Sequence, residues 1–153
     1  MNHDHFMGLA LERARSQVKA GGRPIYCLVV QEDGRVVGHA GNTVARDWDP
    51  TPHAEVNAIP NACAALKTVD LTGCTLYTPM EPCPMCFSTI LEAKISRIVL
   101  GARHRRAGRT DLGAYSVESL LQMMGRELEI VLGIYEAECE ELRLAWKRLS
   151  GEP

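Results

Sequence analysis

At 153 residues, with 46% apolar and 24% charged residues, the chain has the material for one domain, 1–153, built around a real core. A formal charge of −2 excludes the broad positive field that draws polyanions. The longest apolar runs, "IYCLVV" (25–30) and "RIVLG" (97–101), fall far short of the roughly 20 residues that span a bilayer, so no membrane partner is expected.

In chain order, residues 3–20 carry Phe6, Leu9, Ala10, Arg13, Ala14 and Val18 at helical spacing, and the glycines at 21–22 stop that helix. "PIYCLVVQEDGRVVGHA" (24–40) reads as two strands joined at Asp33-Gly34, a strong hairpin signal. Residues 41–52 are turn formers and predict a loop. A helix is expected over 53–69, with Pro60 forcing either a kink or a later start. "CTLYT" (74–78) predicts a strand, followed by a cysteine turn and a helix to about 93. "SRIVLGA" (96–102) predicts another strand, 103–114 a Gly/Arg-rich loop, 115–124 a helix, 127–133 a last strand and 135–149 a terminal amphipathic helix. Helices alternating with five strands predict an α/β fold: a three-layer α/β/α sandwich whose five-stranded sheet is mixed, the later strands parallel through helical crossovers.

"MNHDHFMG" has no basic start followed by an apolar stretch, so no secretory signal is read and a cytoplasmic location is expected. In that compartment the six cysteines should be mostly reduced. Cys27, Cys63, Cys74 and Cys139 sit among apolar residues as small hydrophobes. Cys83 and Cys86, in "EPCPMCF" (81–87), need another account.

A C-x-x-C turn alone serves redox pairs, structural zinc and catalytic metal sites alike. No second C-x-x-C completes a four-ligand set here. What the chain offers is "HAE", His53-Ala54-Glu55, at the start of one predicted helix, with the cysteines at the start of another. Two β–α turns that open on one sheet edge let His53, Cys83 and Cys86 converge on a Zn²⁺, leaving a fourth position for water. Zinc lowers the pKa of such a water from about 15.7 toward about 7. Glu55 would shuttle protons, although helical spacing alone points positions 53 and 55 roughly 200° apart. The pair must therefore meet at the helix end. A noncatalytic zinc scaffold, its fourth ligand drawn from His39, His104 or Cys74, stands as the alternative, and a redox thiol pair leaves His53 and Glu55 unexplained.

"HAE", followed 27 residues after Glu55 by "PCPMC", matches the H-x-E…P-C-x-x-C signature of the zinc-dependent deaminases. With "GRPI", "DPTPHAE", "LYTPMEPCPMC" and "RIVLGAR", most of the chain resembles the cytidine/deoxycytidylate deaminase superfamily. The branch is that of guanine deaminases, yeast-type cytosine deaminases and tRNA adenosine deaminases. The resemblance implies the cytidine deaminase-like sandwich, His53, Cys83 and Cys86 as zinc ligands, and Glu55 as acid/base in a hydrolytic deamination of a cyclic amidine. It also implies Asn42, Ala54 and the backbone of Pro82 and Cys83 as substrate contacts, and a homodimer in which the arginine loop and terminal helix take part.

The implied substrate is a small-molecule nucleobase or nucleoside. Guanine is favoured, because "DPTPHAE" and "EPCPMC" are closer to purine-acting members, while cytosine deaminases commonly carry a serine where Glu81 stands. Cytosine comes second and tRNA adenosine third, since only "RHRRAGR" (103–109) offers a nucleic acid a basic patch. Tyr26 and Cys27 stand where small residues are usual and are expected to crowd the pocket. The chain reaches Pro153 without the acid–aromatic tail of the yeast-type enzyme, so closure is expected from Trp146, Tyr135 or Trp48.

Overall fold

The structure is a computed structural model that describes residues 1–152; Pro153, where the missing-tail expectation falls, lies outside the described residues. Helix α1 (His3–Lys19) is capped by Asn2, whose side chain accepts from the His5 amide at 3.0 Å. Its buried stripe is Phe6, Met7, Ala10, Leu11 and Ala14, turned slightly from the predicted one, so Arg13 faces outward and Leu9 is only partly buried. Strands β1 (Tyr26–Val30) and β2 (Val36–Gly41) form the predicted hairpin, with Gly34 at φ +84° in the turn.

The predicted loop contains one short helix, α2 (Val44–Asp47). Helix α3 (Ala54–Leu66) runs through Pro60, which excludes the later start. Pro60 lies on the exposed face, where solvent can take the Val56 carbonyl that proline leaves without its helical donor. β3 (Thr75–Met80) is longer than predicted and includes Pro79. The β1 ladder ends at the Leu28–Tyr77 pair, so the missing Pro79 amide costs no bond on that side. Then come α4 (Pro84–Glu92), β4 (Arg97–Ala102), α5 (Val117–Met124), the short β5 (Glu129–Val131) and α6 (Glu136–Ser150).

The sheet order is β2-β1-β3-β4-β5, antiparallel at the first two junctions and parallel at the last two. One core, holding Ala58, Ile59, Leu76, Phe87 and Ile98, lies between the sheet and α3, α4 and α5. The other, holding Phe6, Leu11, Tyr77, Val99 and Cys139, lies under α1 and α6. This is the mixed five-stranded, three-layer sandwich expected. Gly38 lets α3 settle on β2: a Cβ there would sit 2.5 Å from the Ala58 carbonyl oxygen. No helix among the described residues is long and apolar enough to cross a membrane.

Because β1 is antiparallel to both neighbours, β2 and β3 run in the same direction. Their C-terminal ends open on one edge, and the segments leaving them lead into α3 and α4. Two helix N-termini are thereby aimed at one place.

Candidate active site

His53 is the residue just before α3 and Cys83 the residue just before α4; both have extended backbones, at φ −62°, ψ 162° and φ −69°, ψ 169°. Pro84 opens α4, and Cys86 follows in its first turn. The His53 Nδ1 lies 3.6 Å from Cys83 Sγ and 3.4 Å from Cys86 Sγ. A tetrahedral zinc with Zn–N near 2.05 Å and Zn–S near 2.3 Å sets its N and S ligands about 3.6 Å apart, so the donor set fits the ion in kind and in spacing. Among the described residues, His53, Cys83 and Cys86 are the one group of three or more His, Cys, Asp or Glu side chains close enough to hold a metal. His39 instead bonds the Tyr26 hydroxyl at 2.7 Å, His104 Nε2 faces the Pro82 carbonyl at 3.3 Å, and Cys74 precedes the opposite, N-terminal end of β3.

The two thiols share a proton. The Cys86 thiol, with help from His53, pulls Cys83 down to about 4 against the contrary effect of burial. The same shared proton, burial and the Glu55 carboxylate push Cys86 up. On its own the protein therefore keeps one thiolate, and a dication is what makes a second one tolerable. The adjoining N-termini of α3 and α4 favour negative charge here as well.

Glu55 lies in the first turn of α3 and is buried. The angular conflict between 53 and 55 dissolves because His53 precedes the helix and is not placed by helical spacing. Burial raises the Glu55 pKa, with the Cys83 thiolate adding to the rise. Its Oε1 lies 3.1 Å from the Thr78 hydroxyl, which also lies 3.0 Å from the Met80 carbonyl. That hydroxyl has one hydrogen and two acceptors within reach, so it donates to the carboxylate when Glu55 is ionised. When Glu55 is protonated, the hydroxyl can accept from it and donate to Met80. Cys27 is buried against this carboxylate, which adds to the upward push that burial gives its thiol. Tyr26 belongs to the α1/α6 side of the sheet, so of the two residues expected to crowd the pocket only Cys27 lies on the Glu55 side, and neither lines the cleft that holds His53.

His53 and Asn42 line one cleft of about 240 Å³ with Met80, Arg23, Arg109 and Arg143. Three larger hollows, about 830 Å³ beside Leu128, 590 Å³ beside Tyr135 and 470 Å³ beside Tyr115, hold none of His53, Cys83 and Cys86. Asn42 Oδ1 accepts from the Val44 amide at 3.1 Å, which fixes the orientation of its carboxamide at the cleft. Ala54, the first residue of α3, is fully buried. The Pro82 carbonyl accepts from Tyr115 Oη at 2.6 Å as well as facing His104. Of the three aromatic residues expected to close the pocket, Trp48 is 95% exposed on the loop and Tyr135 packs over Gly8. Trp146 is buried behind two of the cleft's arginines, with the Arg143 guanidinium 4.7 Å and that of Arg23 5.9 Å from its ring, and does not itself line the cleft.

A model of the cytidine and deoxycytidylate deaminase zinc-binding region matches residues 1–102. The chain belongs to that deaminase family. Within the family, the chain is 39% identical to the guanine deaminase of Bacillus subtilis, over 70% of this chain and 69% of that one. It is 35% identical to a tRNA-specific adenosine deaminase of Aquifex aeolicus, over 79% and 77%. The solved guanine deaminase of Nitrosomonas europaea superposes with a TM-score of 0.85 at 25% identity, over 95% of this chain and 85% of that one. The chain also matches the tRNA(Ile)-lysidine synthases of two Deinococcus species, at 46% and 43% identity over 69% and 67% of its length, but spans only about a fifth of theirs.

Several residues that shape this deaminase-family site carry no motif. Asn57 Nδ2 reaches the Gly41 carbonyl at 3.0 Å, the Thr43 hydroxyl at 3.0 Å and the Pro52 carbonyl at 3.2 Å, pinning both ends of the loop between Asn42 and His53. Its signal was a polar side chain four residues after His53, on a helix otherwise rich in apolar residues. By resemblance alone, Glu81 is a mark of the substrate. In the structure its buried carboxylate accepts from the His104 and Val117 amides, both at 3.1 Å, and pairs with Arg103 at 3.0 Å, holding the 103–117 segment against the cysteine turn. Replacing Glu81 with alanine strands those two buried amides and takes one partner from Arg103, which keeps Glu118. The expected loss is about 3 kcal/mol, read from the shift in the urea midpoint.

Proposed function

We propose that this chain is a zinc-dependent hydrolytic deaminase of an amino-substituted purine, with guanine as the favoured substrate. His53, Cys83 and Cys86 are the zinc ligands in this reading and Glu55 is the acid/base. Asn42, Ala54 and the backbone of Pro82 and Cys83 contact the base. The observation that carries the reading is a buried carboxylate beside a three-ligand cluster without belonging to it. A structural zinc site has no use for such a group.

When bound, the zinc supplies Lewis-acid activation of the attacking water. The chain's own residues do the rest. Asn42 presents hydrogen-bonding groups to the ring edge at the cleft. Glu55, its pKa raised by burial, takes a proton from the attacking water and gives it to the ring nitrogen, then takes the second proton from the hydroxyl added to the ring carbon and delivers it to the amine as the C–N bond breaks. Thr78 can hold the carboxylate in either protonation state. The products are a keto base and ammonia. The relatives support guanine through the Bacillus subtilis enzyme, while the Aquifex aeolicus protein supports tRNA adenosine as the second reading; cytosine follows. A single domain working as a cytoplasmic homodimer completes the proposal.

The test is ammonia release by the zinc-loaded protein from guanine, cytosine, adenosine, cytidine and an anticodon stem-loop. Release from guanine above all others is expected. Release from the stem-loop alone would replace guanine with tRNA adenosine, and release from none would end the deaminase reading.

A further inference from the structure

The cysteine turn reads Pro82-Cys83-Pro84, and its two prolines leave the backbone little freedom. Each ring locks its own φ, and Pro84 also confines Cys83 to the extended conformation it has, at φ −69°, ψ 169°. Both flanks are tied down. The Glu81 amide donates to the Ala102 carbonyl on β4 at 2.7 Å, and the Cys83 carbonyl accepts from the Phe87 amide in α4 at 2.8 Å. What can still turn is the rigid peptide plane between Pro82 and Cys83, about the Pro82 ψ on one side and the Cys83 φ on the other. A change in either dihedral aims the Cys83 side chain elsewhere.

Among the described residues no backbone amide donates to the Pro82 carbonyl. Two side chains hold it instead, Tyr115 through Oη at 2.6 Å and His104 through Nε2 at 3.3 Å. A carbonyl only accepts, so both groups turn a hydrogen toward it. That use of the imidazole strands its other nitrogen: His104 is 3% exposed, and its Nδ1 has no partner among the described residues, which folded proteins seldom allow a buried polar atom. The two rings lie against each other, their centroids 5.8 Å apart. Glu81 holds the His104 and Val117 amides, so both donors come from a segment fixed against the same turn.

We infer that Tyr115 and His104 are positioning residues for the metal: by clamping the Pro82–Cys83 peptide plane they keep the Cys83 sulfur aimed at His53 and Cys86 before zinc arrives. This rests on reading His53, Cys83 and Cys86 as the zinc ligands, and it adds what preorganises one of them. Cys86 is placed by the first turn of α4, whereas Cys83 precedes the helix and depends on the clamp. Without the clamp, zinc binding has to order the turn itself, and affinity falls by the free energy that the ordering takes.

Tyr115→Phe in the full chain removes one hydroxyl and keeps the ring. Competition with a chromophoric chelator should show the variant binding zinc about 10–100-fold more weakly than the parent, the usual loss when a group that orients a metal ligand is removed. The visible bands of the cobalt-substituted protein, which report ligand geometry, should move as well. His104→Phe should lose affinity in the same direction but by less, its bond being the longer one. Tyr77→Phe is the control. Tyr77 is a fully buried tyrosine on the α1/α6 side of the sheet, and its hydroxyl meets His3 Nδ1 at 2.9 Å. Removing that hydroxyl should lower the unfolding midpoint and leave zinc affinity unchanged.

Zinc affinity and cobalt bands in Tyr115→Phe equal to the parent's overturn the clamp. So does an equal loss of affinity in Tyr77→Phe, which would make the effect one of general destabilisation. Should Tyr115→Phe fail to fold, His104→Phe read against Tyr77→Phe decides alone. A parent that binds no stoichiometric zinc would instead end the metal reading, and the purpose of the clamp with it.

Discussion

Glu55→Gln should retain one zinc per chain and the parent's unfolding midpoint to within about 1 kcal/mol, yet turn over at least 10²–10⁴ times more slowly. Glutamine keeps the size of the side chain and can still take the Thr78 hydroxyl at its carbonyl oxygen, so the buried pocket stays filled and hydrogen-bonded. The lost property is the ability to take and return a proton. Burial raises the Glu55 pKa above that of an exposed carboxyl, which makes the protonated form easier to reach in a group that must both take and return a proton. The loss should fall on kcat more than on KM, because the interaction is one of the transition state. Metal analysis beside steady-state kinetics checks it. A zinc-loaded Glu55→Gln as active as the parent would remove Glu55 from the reaction, and with it the reason to read this cluster as catalytic.

How much of this was legible in the chain differs between backbone and side chains. The hairpin was readable because Asp33-Gly34 sits between two β-rich runs, and the mixed sheet because helices alternate with the later strands. Pro60 misled only in part. Its effect on a helix depends on whether the freed carbonyl faces solvent, which is a tertiary fact. The geometry of His53 and Glu55 looked contradictory for the same reason. A residue at the cap obeys its own φ and ψ rather than the helical repeat, and whether His53 was inside or just outside α3 could not be read from spacing.

The motif named the metal cluster and nothing around it. Thr78 and Asn57 act through contacts 23 and up to 16 residues away in the chain, and neither has a neighbour in sequence that betrays the contact. Glu81 shows the limit from the other side. Its identity was informative by resemblance, but the physical work of its carboxylate is to anchor the 103–117 segment. Arg143 and Trp146, three apart on one face of α6, were a faint signal that the terminal helix meets the cleft.

Cys86→Ser should abolish stoichiometric zinc and all measurable deamination, and a stability comparison makes the result specific to the metal. Cys86 is 1% exposed in the first turn of α4, 3.4 Å from His53 Nδ1, and serine offers a poorer ligand of nearly the same shape. A ligand that binds only the folded protein stabilises it by about 4 kcal/mol when present at a thousand times its Kd. The parent should therefore lose about that much stability when a chelator strips the zinc, whereas Cys86→Ser should unfold at one midpoint with or without chelator. The parent's zinc affinity should also weaken as pH falls, because binding must displace the Cys86 proton, which the hydrogen bond to Cys83, burial and Glu55 hold in place in the metal-free site. Stoichiometric zinc in Cys86→Ser, together with an undiminished chelator response, would mean that other side chains hold the ion and that the spacing of His53, Cys83 and Cys86 has another cause.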